Sequence, residues 1–132
     1  MVRHAACGCG QLRVACEGEP VRISMCHCLA CQRRTGSAFG VQARFPRTQV
    51  AIEGVSSRYT RSADSGNSVS FHFCATCGST VYWELSAMPE VVAVAVGAFA
   101  DPQFPAPRHS VFEANGHTWS MMPASLTMEH LD

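Results

Sequence analysis

The stretch Cys26-His27-Cys28-Leu29-Ala30-Cys31 decides how this sequence is read, together with Cys7-Gly8-Cys9-Gly10 before it and Cys74-Ala75-Thr76-Cys77-Gly78 after it. Seven of the chain's eight cysteines lie in these three groups. Gaps of one and two residues gather sulfurs around a common point, as a tetrahedral zinc ion demands at zinc–sulfur distances of about 2.3 Å. Cysteines this close to one another cannot all find disulfide partners without strained geometry. The glycine after Cys77 and the one after Cys9 suit tight knuckle turns, in which backbone N–H groups point at thiolates. Metal, rather than a disulfide framework, is therefore the expected use of these residues.

Working outward, the chain has 132 residues, of which 47% are hydrophobic, so a folded core is expected in one domain spanning 1–132. Ten basic and ten acidic side chains cancel. That balance lacks the electrostatic pull of nucleic-acid binders. The longest apolar run, Val91 to Ala100, is far shorter than the roughly 20 residues of a membrane helix. The N-terminal stretch MVRHAACGCG carries no apolar segment of the kind that directs secretion. A cytoplasmic protein is expected, in a compartment where thiols stay reduced.

The rest of the chain alternates as strands do. Gln11 to Cys16 puts Leu12, Val14 and Cys16 on one face, and Ser68 to Phe73 puts Val69, Phe71 and Phe73 on one side. Gln49 to Ile52 alternates too, and Ser79 to Leu85 is rich in Val, Tyr and Trp. Val91 to Val96 reads as a buried central strand. Asp64-Ser65-Gly66-Asn67 signals a turn, and three prolines between Asp101 and Pro107 mark a loop. A helical turn fits only near Leu29 to Thr35. The fold class expected is all-β.

Spacing leaves the grouping of ligands open. Cys7, Cys9, Cys74 and Cys77 form one closed site in the first arrangement, leaving Cys26, Cys28 and Cys31 with an open fourth position. In the second, Cys31 and a neighbour join Cys74 and Cys77 in a ribbon-like site, and the N-terminal pair is spare.

The run C-G-C-G, then CHCLACQRRTGSAF from Cys26, then FCATCGSTV from Phe73, resembles the glutathione-dependent formaldehyde-activating family, which also includes centromere protein V. The likeness continues through Gly97 to Pro102 and Arg108 to Phe112, and on to Trp119, so it spans nearly the whole chain. It implies two small antiparallel β-sheets joined at a structural zinc, a β-tent-like arrangement with few or no helices. It also implies the first grouping: Cys7, Cys9, Cys74 and Cys77 as structural zinc ligands, and Cys26, Cys28 and Cys31 as catalytic ones, for two zinc ions per chain. The implied activity is that of a carbon–sulfur lyase resembling S-(hydroxymethyl)glutathione synthase, which adds a glutathione-like thiol to formaldehyde or a related small carbonyl. Arg33 and Arg34, on the turn leaving Cys31, are the candidates to hold a glutathione carboxylate.

Other residues have plainer expectations. Cys16 shares a face with Leu12 and Val14 and reads as a core thiol. His27, between two ligands, is expected to point away from the metal or to hydrogen-bond behind it. His72 lies opposite Phe71 and Phe73 and is open to an exposed or site-facing position. Phe39 fits a pocket wall or the core equally, and His109, His117 and Trp119 read as rim and packing residues. The alternative function is a non-catalytic zinc-stabilised binding module, which requires a fourth protein ligand at the middle cysteines. Methionine sulfoxide reduction needs a late redox cysteine, and none follows Cys77. Electron transfer at a four-thiolate iron would give a coloured protein.

Overall fold

The computed structural model describes residues 1–63, 65–121 and 128–131. Strands β1 (Val2–Ala6), β2 (Arg13–Glu17) and β5 (Val50–Glu53) form a three-stranded sheet in the order β1-β2-β5. The second sheet has seven strands. They are β3 (Arg22–Cys26), β4 (Gly40–Pro46), β6 (Ser57–Ser62), β7 (Ser68–Phe73), β8 (Thr80–Leu85), β9 (Val91–Ala95) and β10 (His109–Val111), in the order β10-β3-β4-β9-β8-β7-β6. The α-helices described are short, α1 (Leu29–Thr35) and α2 (Thr118–Met121). The all-β, two-sheet expectation holds, with two qualifications. The second sheet is larger than anticipated, and its edge pair β10–β3 runs parallel, whereas every other pair among the described residues is antiparallel.

Alternation along the strands explains how the sheets meet. Leu12, Val14 and Cys16 are buried on one face of the small sheet, as their spacing predicts. They pack against Ile23, Ala43, Phe45, Val92 and Val94, the inward residues of β3, β4 and β9. Each large aliphatic side chain so buried contributes roughly 1.5–3 kcal/mol. Cys16 is a core thiol, fully buried among these residues. Strand β9 is buried on both faces, because Ala93 and Ala95 pack with Val69, Phe71, Trp83 and Leu85 on the other side. The large sheet thus has a core-facing side and a second side, where the alternate residues of its strands line up.

Register identifies what stands on that second side. Arg22 pairs with Arg44, Ser24 with Gln42 and Cys26 with Gly40 across β3 and β4. Trp83 pairs with Ala93, Phe71 with Trp83, and Arg61 with Val69 further round. Polar residues at one end of the sheet therefore share a face with aromatic residues at the other. The turn predicted at Asp64 to Asn67 is visible from Ser65 onward, with Gly66 at φ 86°, while Asp64 lies outside the described residues.

Candidate metal centres and the adjoining cavity

The sulfurs of Cys7, Cys9, Cys74 and Cys77 lie within 4.8 Å of one another. Two separated pieces of chain hold them: the turn between β1 and β2, and the turn between β7 and β8. Gly78 takes φ 81°, which only glycine adopts without strain, and its N–H bonds the Cys74 carbonyl at 2.7 Å. The backbone N–H of Leu12 points at Cys7 Sγ at 3.3 Å, and the Gln11 amide at Cys74 Sγ at 3.1 Å. Gln11 is itself fixed by two bonds to the Val55 backbone.

These donors lower the thiols unevenly. The backbone N–H and hydroxyl of Ser79 pull Cys77 down to about 5, and the Gln11 amide draws Cys74 to about 7. The Gln11 backbone N–H also pulls at Cys9, but sulfur partners Cys7 and Cys74 together with burial outweigh it and leave that thiol at about 11. The Cys9 sulfur lies 3.6 Å from that of Cys7 and 3.7 Å from that of Cys74, thiol contacts that a divalent ion replaces when it binds. The donor set fits a closed tetrahedral site.

The second group joins the sulfurs of Cys26, Cys28 and Cys31 within the same 4.8 Å limit, with no fourth His, Cys, Asp or Glu among the described residues. Cys26 ends β3. Cys28 caps α1, its sulfur accepting the Cys31 N–H at 3.2 Å, and Cys31 lies on the helix's first turn. The Cys31 thiol lowers Cys26 to about 5, and the same contact together with burial drives Cys31 the other way. Strand end, cap and helix turn thus converge three sulfurs from six residues of sequence.

The three cysteines open on a cavity of about 230 Å³ on the second side of the large sheet. Trp83 and Phe71 wall it, with Val111 and Phe112 closing one side. Arg22, Arg44 and Arg61 also line it. Sequence reasoning passed over these three. For Arg22 and Ser24 a signal was present, since R-x-S-x-C at period two sets them beside Cys26. Arg61 carried none, because only the curl of the sheet returns β6 to β3.

Arg33 and Arg34 do not line this cavity. They stand with Arg61 on a neighbouring groove of about 480 Å³ that shares Arg61 and Phe71 with it. Arg33 is exposed, whereas the Arg34 guanidinium lies 4.3 Å from the Trp83 ring centroid and 5.6 Å from that of Phe71. Gly40 permits this, because a Cβ there would stand 2.7 Å from an Arg34 nitrogen.

The remaining candidates fall away from the sulfurs. His27 is fully buried and turned from the triad, its Nε2 3.2 Å from Ser110 Oγ. His72 sits between Ser56 Oγ at 2.9 Å and Glu84 Oε1 at 2.8 Å, stacked on Tyr82, in a network that ends on Arg47. Phe39 packs near His27 and lines a groove of about 790 Å³ beside the four-cysteine group, not the triad cavity. His117 bonds Gln32 of α1 and packs on Trp119, and His109 is exposed on β10, so these three keep to rim and packing positions.

Over residues 2–115 the sequence matches the family described as glutathione-dependent formaldehyde-activating enzyme. The chain belongs to that family. No curated protein matches this family member as a relative. Among solved structures, a Rhodobacter sphaeroides protein superposes with a TM-score of 0.59 at 19% identity, over 82% of this chain and 99% of that one. At that identity the likeness speaks for the shared fold. Both cysteine groups of this family member could hold metal ions.

Proposed function

We propose that this chain is a zinc-dependent carbon–sulfur lyase-type enzyme, resembling S-(hydroxymethyl)glutathione synthase, that adds a glutathione-like thiol to formaldehyde or a related small carbonyl. The observation that carries the reading is the three-sulfur group: three ligands without a fourth among the described residues, opening on a cavity, in a member of this family. In this reading residues 1–132 act as one zinc-binding domain, with Cys7, Cys9, Cys74 and Cys77 holding a structural zinc and Cys26, Cys28 and Cys31 a catalytic one. Eight free thiols suit the reducing cytoplasm.

A zinc ion on the triad would offer an open position and keep an arriving thiol deprotonated near neutral pH. The chain's own residues do the rest. Trp83 and Phe71 exclude water from the reacting centre. Buried Ser24 accepts the Arg22 Nε–H at 2.8 Å, which leaves its own hydroxyl hydrogen for the carbonyl oxygen as charge develops there. The groove bearing Arg33 and Arg34 gives the body of a larger thiol a path outward, with charge for its carboxylates. A non-catalytic zinc module would need a fourth protein ligand at the triad, and the described residues supply none.

The test is calorimetric titration of zinc-loaded protein with mercaptoethanol, a thiol without carboxylates, alongside the rate of formaldehyde adduct formation. Wild type should bind the thiol and speed the adduct, and Cys28→Ser should do neither while staying folded. Equal thiol affinity in Cys28→Ser would refute the catalytic-zinc reading. Thiol binding without faster formaldehyde addition would reassign the carbonyl partner.

A further inference from the structure

The triad cavity is charged in a way that zinc thiolate chemistry alone does not require. Arg22, Arg44 and Arg61 come from three strands, β3, β4 and β6, and line one cavity of about 230 Å³ with the cysteines. Arg22 and Arg44 are register partners on adjacent strands. Among the described residues none of the three pairs with a carboxylate: the ion pairs present engage Arg3, Arg13, Arg47 and His72 instead. The Nε atoms of Arg44 and Arg61 are buried and make no hydrogen bond to the described residues. Burial and the neighbouring Arg22 charge both press the Arg44 guanidinium below its ordinary value, so the cluster is under electrostatic load.

Charge arithmetic points the same way. Three thiolates on a divalent ion leave one negative charge, and a bound substrate thiolate adds one more, against three guanidinium charges. An excess of positive charge remains in a low-dielectric space, where an unpaired charge is costly. Guanidinium forks match carboxylates in geometry as well as charge. Gln42, two residues from Arg44 on β4, lines the same cavity. Its Oε1 accepts the Trp83 indole N–H at 3.0 Å, which leaves its NH₂ as a further donor. The cavity is smaller than the 300 Å³ or so at which drug-sized ligand sites begin, so it fits a short molecule or one end of a longer one.

We propose that Arg22, Arg44 and Arg61 form an anion subsite beside the triad that takes the carboxylate of a small reactant. The preferred substrates are then a short oxo acid as the carbonyl partner, or a short carboxylated thiol, rather than formaldehyde with a neutral thiol. This rests on the lyase reading of the same site. The step is balanced without a further reagent: the sulfur–carbon bond forms, the carbonyl π bond breaks, and the thiol proton ends on the former carbonyl oxygen.

The experiment titrates zinc-loaded wild type, Arg44→Gln and Arg61→Gln with mercaptoacetate, mercaptoethanol and glyoxylate by calorimetry. Arg61→Gln, on the sheet's edge strand, keeps the test open if Arg44→Gln fails to fold. Wild type should bind mercaptoacetate about tenfold to a hundredfold more tightly than mercaptoethanol, or bind glyoxylate with comparable dependence on the arginines. The first result assigns the carboxylate to the thiol, the second to the carbonyl partner. Either preference should collapse in the variants while mercaptoethanol affinity holds. If mercaptoethanol fails to bind wild type but glyoxylate binds and the variants lose it, the subsite stands and the lyase reading falls. No preference for either carboxylate, or a preference that survives in a folded variant, overturns the subsite.

Discussion

The two cysteine groups use the same ligand atoms and differ in what surrounds them. The four-sulfur group is assembled from distant segments and ringed by inward-pointing backbone and amide N–H donors. The three-sulfur group is local, drawn from one strand end and one helical turn, and one side opens on charged and aromatic residues. A site that joins segments across 70 residues of sequence, from Cys7 to Cys77, works as a staple. A site made within six residues joins little, so its loss should leave the sheets intact. Number of sulfurs and chain connectivity together distinguish the two groups.

The largest effect should come from breaking the staple. Cys77→Ala removes one of four ligands from the site that joins the small sheet's turn to β7 and β8. Melting temperature and soluble yield should both fall sharply, because metal binding contributes to folding free energy directly. A variant with unchanged melting temperature and full zinc content would erase the contrast between the two groups.

Chelation should sharpen it. With fewer ligands and an open side, the triad should release its metal first, about one zinc per chain, while circular dichroism stays native. Metal analysis after graded chelator treatment reads the order. Simultaneous loss of both ions with unfolding would contradict the assignment.

The smallest effect separates two adjacent arginines. Arg34→Ala removes a guanidinium from the faces of Trp83 and Phe71 and should cost about 0.5–2 kcal/mol of stability in denaturant melts. Arg33→Ala, at an exposed position, should change stability by less than about 0.5 kcal/mol. Equal costs would mean that the Trp83 contact contributes nothing.

Much of this was legible in the sequence, and what was not has physical reasons. The helix appears at Leu29–Thr35 as expected, β2, β5 and β7 lie where alternation placed strands, β8 where Val, Tyr and Trp did, and β9 where a buried central strand was read. Both sulfur groups follow the grouping that the family resemblance implied. Strands β3 and β6 were hidden because one side of each faces a charged cavity, so their alternation reads Arg-Ser-Cys and Tyr-Arg where a core strand shows apolar residues. Strand β10 is three residues long and pairs parallel to β3, a contact no local pattern announces. Arg33 and Arg34 drew attention by adjacency to Cys31, whereas the cavity takes its arginines from strands that approach only when the sheet curls.

The parallel pairing of β10 with β3 also sets an order of assembly. Ser110 meets His27 across 83 residues, a loop whose closure is entropically slow to reach. During synthesis the four-sulfur staple can close once Cys77 has left the ribosome, whereas the cavity wall at Val111 and Phe112 arrives more than thirty residues later. Until that strand docks, the side of the cavity that Val111 and Phe112 close stays open beside the three sulfurs, while Phe71 and Trp83 already wall the other.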